Sequence, residues 1–235
     1  MAQGDSWQIR EQIATCTRLL VMQEIMDFSG HVSARIPGTD RVLIQPRDTS
    51  RAALTADDIL VVDMDCNVLE GEGPAPSETA LHTSVYRARP DVTTVCHGHP
   101  TMSTLFTTVD RPFPAVRNFA YRFAGSQLPI HEDTTHIRTE EQGDAVAESL
   151  GARSICLLRA HGTVVASPSM EELFMDCLDL EEAARSALYA SMLGNLLPLT
   201  DREVEELRAS YGRNSYRAGK VWDHYAQKGR QSGIL

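Results

Sequence analysis

The hydrophobic positions of the chain follow two spacings, which together predict helices mixed with short strands. Apolar residues at helical intervals predict helices at about residues 6–26, 140–150 and 170–193. Short runs rich in β-branched residues predict strands at about residues 30–35, 41–45, 59–63, 92–96 and 155–158. A tight turn is expected at residues 65–67. This order of elements is typical of an α/β fold.

Two histidines separated by one residue follow the predicted strand at residues 92–96. Alternate side chains of a strand point to the same face, so His97 and His99 should lie on one wall. Two imidazoles are difficult to bury on one face unless something binds both. The pair therefore indicates metal binding rather than packing.

A third imidazole follows the apolar run at residues 155–158, where we expect a second strand to end at His161-Gly162. A lone histidine is more often a hydrogen-bonded core residue than a ligand, so the weight of His161 comes from the His97/His99 pair. With Glu78 upstream, the three histidines would form a site with an open coordination position, as in catalytic metal sites.

Glu78 is expected at the start of a helix, with Ser77 as its N-cap and Pro90 beyond its end. A carboxylate there could simply favour the helix dipole. Beside a divalent cation it could instead act as a general base or acid, or as a displaceable ligand. His82, one turn later, is expected to orient other groups or to pack rather than to bind the metal.

Length, charge and cysteine content restrict the class of protein. A chain of 235 residues is long enough for one large core, and its hydrophobic runs are shorter than the roughly 20 residues that span a bilayer. No export signal is evident at the N-terminus, and five scattered cysteines indicate free thiols in a reducing cytoplasm. A net charge of -10 argues against nucleic-acid or anionic-membrane partners.

Two C-terminal features are given structural interpretations. The acidic residues of the predicted helix at 170–193 are expected to form a solvated face opposite an apolar stripe. The aromatic residues among basic ones after residue 200 are expected to belong to a packed terminal helix, with an active-site cover as the alternative.

Several motifs resemble those of the class II aldolase/adducin family, from about residue 12 to about residue 193. In chain order they are GHVSAR at 30–35, LIQP at 43–46, DDILVVD at 57–63, PSE at 76–78, RPDV at 89–92, HGHP at 97–100 and HG at 161–162. The resemblance implies a single three-layer α/β/α domain with a central mixed sheet. We place this catalytic domain at residues 6–200 and the C-terminal segment, a candidate cover, at residues 201–235.

The resemblance also implies the contents of the site. His97, His99 and His161 would hold one divalent metal ion per subunit, and Glu78 would be catalytic. Zn²⁺ is the metal that the family favours, while imidazole ligands also suit Mn²⁺, Co²⁺ and Fe²⁺. The family further implies a cytoplasmic homotetramer, with active sites between subunits, acting on a small acidic substrate.

The chain departs from the sugar-phosphate aldolases where those enzymes hold the substrate phosphate. Their Gly-Asn, Ser/Thr-Gly and Ser-Ser pairs correspond here to Gly-His at 30–31, Arg-Asp at 47–48 and Pro-Ser at 76–77. A guanidinium at Arg47 suits a carboxylate, and His31 adds a second donor, with Ser77 nearby. An ordinary surface arginine is the alternative for Arg47.

Asn118 stands at the position of the aldolases' proton-donating tyrosine, although Tyr121 lies close by. These changes resemble the aromatic-acid decarboxylases of the family, such as those acting on 3,4-dihydroxyphthalate. The expected function is therefore a metal-dependent carbon-carbon lyase, a decarboxylase of a hydroxylated aromatic dicarboxylate. The alternative is an aldolase acting on a sugar phosphate or hydroxy-keto acid. Dehydratases and iron oxygenases also remain open. A non-catalytic adducin-like domain would have lost the metal ligands, whereas all three histidines and the glutamate are present here.

Overall fold

A computed structural model describes residues 3–110, 113–124, 128–211 and 214–235 of the chain. The helices are α1 (Gln3–Met22), α2 (Thr79–Ala88), α3 (Thr101–Leu105), α4 (Glu140–Leu150), α5 (Met170–Leu193), α6 (Asp201–Tyr211) and α7 (Asn214–Gln231). The strands are β1 (His31–Arg35), β2 (Arg41–Ile44), β3 (Leu60–Asp63), β4 (Val68–Glu70), β5 (Thr94–Gly98), β6 (Ile130–His131), β7 (Ile155–Leu158) and β8 (Gly162–Ser167).

The eight strands form one sheet in the order β4-β3-β2-β1-β5-β8-β7-β6. Neighbouring strands are antiparallel except β6 and β7, which are parallel, so the sheet is mixed as predicted. Alternate residues of the strands feed two hydrophobic cores. One core contains residues of α1, α5 and α7, and the other contains residues of α2 and α4. The fold is therefore the predicted three-layer α/β/α arrangement.

A glycine in α4 allows this helix to approach α2 closely. A Cβ atom at Gly143 would lie 2.6 Å from the Ala80 carbonyl oxygen and 2.7 Å from Ser84 Oγ, distances that an added carbon cannot occupy. This close approach holds α2 against α4. The N-terminal end of α2 carries Glu78.

The strand predicted at residues 92–96 begins later, at Thr94. Residues 90–93 form the connection that follows α2, before β5 starts to pair with its neighbours. Ser77 is exposed and is not the N-cap of α2, which is Glu78 itself. The Pro76 carbonyl accepts hydrogen bonds from the Thr79 amide at 3.1 Å and its hydroxyl at 2.6 Å, so the turn closes one residue later than predicted.

The prediction of a solvated acidic face on α5 is wrong, because three of its carboxylates are buried. Asp176 and Asp179 bind Arg122, and Asp179 also binds Arg217 of α7 at 2.8 Å. Glu181 accepts hydrogen bonds from the Met102 and Ser103 amides at 2.8 and 2.9 Å. The burial of these carboxylates is tolerated because cations and amides from distant segments of the chain bind them.

The C-terminal segment ends in a packed helix. Trp222 and Tyr225 of α7 lie edge-on against Phe174 of α5, at ring-centroid distances of 5.8 and 5.5 Å. Leu235 packs on the same core. The predicted division at residue 200 and the role of cover stay predictions. Across the described ranges, every helix is too short or too polar to cross a membrane.

Candidate metal centre

Four side chains converge at one end of the central strands. Glu78, His97, His99 and His161 each present a ligand atom, and these atoms all lie within 4.8 Å of one another. Glu78 comes from the start of α2, His97 from the end of β5 and His99 from the residues that follow it. The four residues predicted to form the centre are therefore brought together.

The ladder between β1 and β5 places a further imidazole beside this cluster. His31 is directly opposite His97 in the antiparallel register, so both side chains point to the same face. Their ring centroids are 5.2 Å apart. His31 and His97 are both buried.

His161 is not at a strand end as predicted, because β7 ends at Leu158 and β8 begins at Gly162. It lies in the tight turn between them, after Ala160 with a φ of 54°. A Cβ atom at Gly162 would lie 2.2 Å from the Gly98 carbonyl oxygen, which only glycine avoids. This close approach brings the turn, and with it His161, against the end of β5.

The imidazole nitrogens fit a metal ion. His97 Nδ1 lies 3.0 Å from the Thr163 carbonyl oxygen, which can only accept, so the proton is on Nδ1 and Nε2 presents a lone pair. His99 Nδ1 is 2.9 Å from Ser29 Oγ, and that hydroxyl donates to Asp27, so His99 Nε2 is also unprotonated.

Orphaned atoms support the same conclusion. Within the described ranges, buried His97 Nε2 and both ring nitrogens of His161 have no hydrogen-bond partner. Buried polar atoms are rarely left unpaired, and a cation shared by these nitrogens would satisfy His97 Nε2 and one nitrogen of His161. Three imidazoles and a carboxylate suit a divalent transition metal.

Glu78 is a buried carboxylate between the histidines. Its Oε2 lies 3.2 Å from His97 Nε2 and its Oε1 lies 3.6 Å from His161 Nε2. The Ile137 amide donates to Oε1 at 3.1 Å. Burial raises the pKa of the Glu78 carboxyl, while the Ile137 amide that donates to Oε1 lowers it, and the pKa lies below its ordinary value. Glu78 is therefore ionised at neutral pH.

Two histidines of the cluster, His99 and His161, are held neutral. Burial lowers the pKa of His161 to about 4, with His97 contributing in the same direction. Burial also lowers the pKa of His99. Neutral imidazole is the form that binds metals, so protons do not compete for these ligands at neutral pH.

A chain of hydrogen-bonding groups runs from His31 away from the cluster. His31 Nδ1 is 2.8 Å from His82 Nε2, and His82 Nδ1 is 2.6 Å from Ser33 Oγ. Ser33 Oγ is 2.8 Å from the hydroxyl of Tyr86. His82 therefore contacts His31 rather than joining the metal cluster, as its predicted orienting role requires.

Arg47 and Ser77, predicted to bind substrate, lie on exposed loops outside the cluster. The Arg47 side chain is about half exposed and its Nε pairs with Asp48 at 3.0 Å. The Arg47 amide donates to the Pro74 carbonyl at 2.9 Å, which joins its loop to the one that leads into Ser77.

Sequence reasoning missed two residues around the site. Arg51 is buried and donates to the carbonyls of Gly30 at 3.0 Å and Arg47 at 2.9 Å, which shapes the Arg47 loop. His136 Nδ1 lies 3.6 Å from Glu78 Oε1, and its ring is two-thirds exposed. Neither residue stands in an apolar run or in a pair of histidines, so periodicity gave no signal for them.

Asn118 and Tyr121 belong to a 3-10 helix at Asn118–Phe123, where Tyr121 is buried. The structure does not bring either residue into the four-residue cluster.

Comparison with known proteins identifies the family. Residues 11–188 match the Class II Aldolase and Adducin N-terminal domain, and the chain belongs to this family of lyases and epimerases, in which aldolases use a divalent metal. A 3,4-dihydroxyphthalate decarboxylase from Arthrobacter keyseri is 30% identical over 241 residues, covering 94% of this chain and 96% of the relative. An L-fuculose phosphate aldolase from Escherichia coli O6:H1 is 28% identical and covers 83% of this chain and 89% of its own length.

The fold of this family is also found in solved structures. An aldolase II superfamily protein from Pseudomonas syringae has a TM-score of 0.89 at 21% identity, covering 99% of this chain and 96% of that protein. An L-fuculose 1-phosphate aldolase from Glaciozyma antarctica has a TM-score of 0.84 at 17% identity and covers 97% and 92%.

Proposed function

We propose that the protein is a metal-dependent decarboxylase of a hydroxylated aromatic dicarboxylate such as 3,4-dihydroxyphthalate. The observation that carries the proposal is the imidazole of His31, which lies opposite His97 at the metal cluster where sugar-phosphate aldolases have an amide side chain. Arg47-Asp48 and Pro76-Ser77 stand in place of the other two phosphate-binding pairs. The similarity to 3,4-dihydroxyphthalate decarboxylase over nearly the whole chain supports the same substrate class.

His97, His99 and His161 would hold the metal, and Zn²⁺, Mn²⁺, Co²⁺ and Fe²⁺ all suit these ligands. When bound, the ion supplies a Lewis acid that polarises a substrate oxygen next to the bond that breaks. His31 donates a hydrogen bond to the acidic substrate, while Arg47 pairs with a carboxylate. The Arg47–Asp48 pair is exposed and therefore weak enough to be exchanged for this contact.

Glu78 moves the proton. Glu78 is ionised at neutral pH, so it can accept the proton of a ring hydroxyl and deliver it to the ring carbon that bears the departing carboxylate. That carboxylate leaves as carbon dioxide, and the bonding electrons restore the aromatic ring. The ring hydroxyl then regains a proton from solvent.

An aldolase acting on a sugar phosphate or hydroxy-keto acid is the second candidate, because L-fuculose phosphate aldolase is almost as similar in sequence. The two reactions share the metal ligands and the proton carrier and differ in the leaving group. Carbon dioxide leaves in one, and a carbonyl compound leaves in the other.

A side-by-side assay distinguishes the two reactions. The chelated protein is reloaded with Zn²⁺, Mn²⁺, Co²⁺ or Fe²⁺ and incubated with 3,4-dihydroxyphthalate or L-fuculose 1-phosphate. We expect carbon dioxide from the dihydroxyphthalate and little or no cleavage of the sugar phosphate. Efficient sugar-phosphate cleavage without carbon dioxide release would replace the proposal with the aldolase.

Substrate binding by Arg47 has its own test. Arg47→Ala should raise KM by about tenfold or more, since a charged hydrogen bond contributes about 1.5 to 3 kcal/mol. Arg47→Lys should recover only part, because an ammonium lacks the two-point clamp. Arg202→Ala, which removes an arginine exposed on α6, is the matched control and should leave KM unchanged. An unchanged KM in Arg47→Ala would remove this residue from the site.

The proposal includes a cytoplasmic homotetramer. Met192, Leu193 and Leu197, at and beyond the end of α5, are more than three-quarters exposed, and a patch of this kind favours contact with another subunit. Five free cysteines, four of them buried, agree with a reducing compartment. Analytical ultracentrifugation at micromolar concentration should give four times the chain mass.

A further inference from the structure

The chain of buried hydrogen bonds behind His31 has a direction, which is set at Tyr86. The Tyr86 hydroxyl is 2.8 Å from Ser33 Oγ and 3.5 Å from the Thr93 carbonyl oxygen. The longer distance is at the outer limit for an O–H donor, so the single proton of Tyr86 goes to Ser33. Tyr86 is only 1% exposed, so bulk solvent does not compete for this proton.

The remaining protons follow from this first one. Ser33 Oγ accepts from Tyr86, so its own proton goes to His82 Nδ1 at 2.6 Å. His82 then carries its proton on Nε2 and donates to His31 Nδ1 at 2.8 Å. His31 in turn carries its proton on Nε2, which lies 3.8 Å from Glu78 Oε2.

Burial keeps each ring to one proton. His82 and Ser33 are completely buried and His31 is 5% exposed. A charged imidazolium is costly in such surroundings, so both rings stay neutral and their tautomers are set by their neighbours.

We infer that Tyr86, Ser33 and His82 are positioning residues that fix His31 as an Nε2–H donor facing the metal cluster. A nitrogen that carries a proton cannot bind a metal, so His31 is excluded from the ligand set although it lies beside His97. The donor is instead available to an anionic oxygen of the substrate. The nature of that acceptor rests on the proposed function, whereas the tautomer does not.

The tautomer is measured by nitrogen NMR of histidine-labelled protein, chelated and then loaded with Zn²⁺. His31→Gln and His82→Gln assign the signals. We expect a pyrrole-type Nε2 and a pyridine-type Nδ1 for both His31 and His82, before and after zinc is added. A pyridine-type His31 Nε2, or its coordination to zinc, would overturn the inference.

Two variants separate the direction of the chain from simple packing. Ser33→Ala removes the donor to His82 Nδ1, and both rings should then show mixed tautomers. Tyr86→Phe removes the proton that sets the direction, so both rings should again show mixed tautomers. A His31 tautomer that is kept in Ser33→Ala or in Tyr86→Phe would contradict the assigned direction. Ser33→Thr, which restores a hydroxyl, should recover the tautomer.

Enzyme kinetics then test whether the substrate accepts the hydrogen bond from His31 Nε2. In Ser33→Ala, KM for 3,4-dihydroxyphthalate should rise by at least about threefold, while zinc content stays near one per chain. Retained zinc with an altered tautomer but unchanged KM would show that His31 does not contact the substrate. If no dihydroxyphthalate is turned over by any variant or by the parent, the proposed function fails while the NMR result stands.

Discussion

Glu78 combines two properties that are difficult to obtain in one carboxylate. It is buried, which alone would favour its neutral form, yet the Ile137 amide donates to it, lowers its pKa and keeps it ionised. An ionised carboxylate without solvent around it is a rigid acceptor for protons. In the proposed reaction, Glu78 would therefore act through its charge rather than its shape.

Glu78→Gln should lower turnover by roughly 100-fold or more while preserving the fold, because glutamine keeps the shape and cannot carry the proton. Most of the bound metal should be retained. Steady-state kinetics at saturating substrate and elemental analysis check the two statements. Glu205→Gln, at an exposed carboxylate of α6, is the control. Unchanged turnover would remove the catalytic role, and loss of metal would make Glu78 a ligand.

His82 connects the site to stability. Burial, followed by the effect of His97, lowers the pKa of His82 from 6.5 to about 3. Below pH 6.5 the unfolded chain takes up a proton at this residue and the folded chain does not. The free energy of unfolding therefore decreases as the pH is lowered. The effect is present above pH 6.5 and is lost progressively toward pH 3.

We therefore expect the chelated protein to lose about 2 kcal/mol of stability from His82 between pH 7 and pH 5, with His161 adding to it. Urea unfolding at pH 7, 6 and 5 measures this loss. In His82→Gln, the loss of unfolding free energy between pH 7 and pH 5 should be smaller by about the amount assigned to His82. A stability that is constant over this range would show that His82 is protonated in the folded state.

At the scale of elements, the tight turn between β7 and β8 decides where His161 lies. The turn passes so close to the end of β5 that a Cβ at residue 162 would overlap the Gly98 carbonyl oxygen and press on the His99 ring. The third ligand is thus placed by backbone contact as much as by its own side chain.

Gly162→Ala should cost about 1 to 3 kcal/mol of stability, as overpacking does, and should weaken zinc binding because His99 and His161 are displaced together. Thermal unfolding and zinc titration give the two values. Gly219→Ala in α7 is the matched control, since a Cβ there meets open space. We expect it to be neutral or slightly stabilising. Equal behaviour of the two variants would contradict the close approach.

The helices and strands that the sequence predicted are those with strong local patterns. The β-branched run before His97 and the apolar periodicity of α4 and α5 are properties of neighbouring residues, and these elements are confirmed. The strand β8 at Gly162–Ser167 was not predicted, because the His-Gly pair at 161–162 was expected to end the preceding strand. Its short run of β-branched residues was the available signal.

Burial of polar groups could not be predicted in the same way. The carboxylates of α5 were expected in solvent, since their spacing is that of an exposed face. Their partners, Arg122, Arg217 and the first amides of α3, lie far away in sequence. The same applies to Arg51 at the site, which is buried. Only the tertiary contacts show that these polar groups are used inside the molecule.

At the scale of the whole molecule, the metal cluster joins segments that are distant along the chain. Glu78, His97 and His161 come from a helix, a strand and a turn that meet only after the central ladders have formed. The unfolded chain cannot hold the ion with this geometry. Metal binding should therefore stabilise the folded state according to the free metal concentration.

The parent protein should contain about one divalent ion per chain, and chelation should reversibly abolish activity and lower the melting temperature. An excess of free metal 100 times above Kd corresponds to about 2.7 kcal/mol. Elemental analysis and thermal unfolding with and without chelator check this. A His97→Ala/His99→Ala double variant should lose both the metal and the shift. Full metal content in that variant would disprove the ligand assignment.

The pairing of β5 with β8 has a consequence for how preparations of this protein are judged. The Thr163 carbonyl fixes the tautomer of His97 only when the two strands are in native alignment. A slip of one residue would turn His97 to the opposite side of the sheet, where hydrophobic side chains of α1 and α5 lie. The ability to take up metal after reloading therefore reports strand alignment, and chains that are folded by circular dichroism but do not take up added metal are expected to be misaligned.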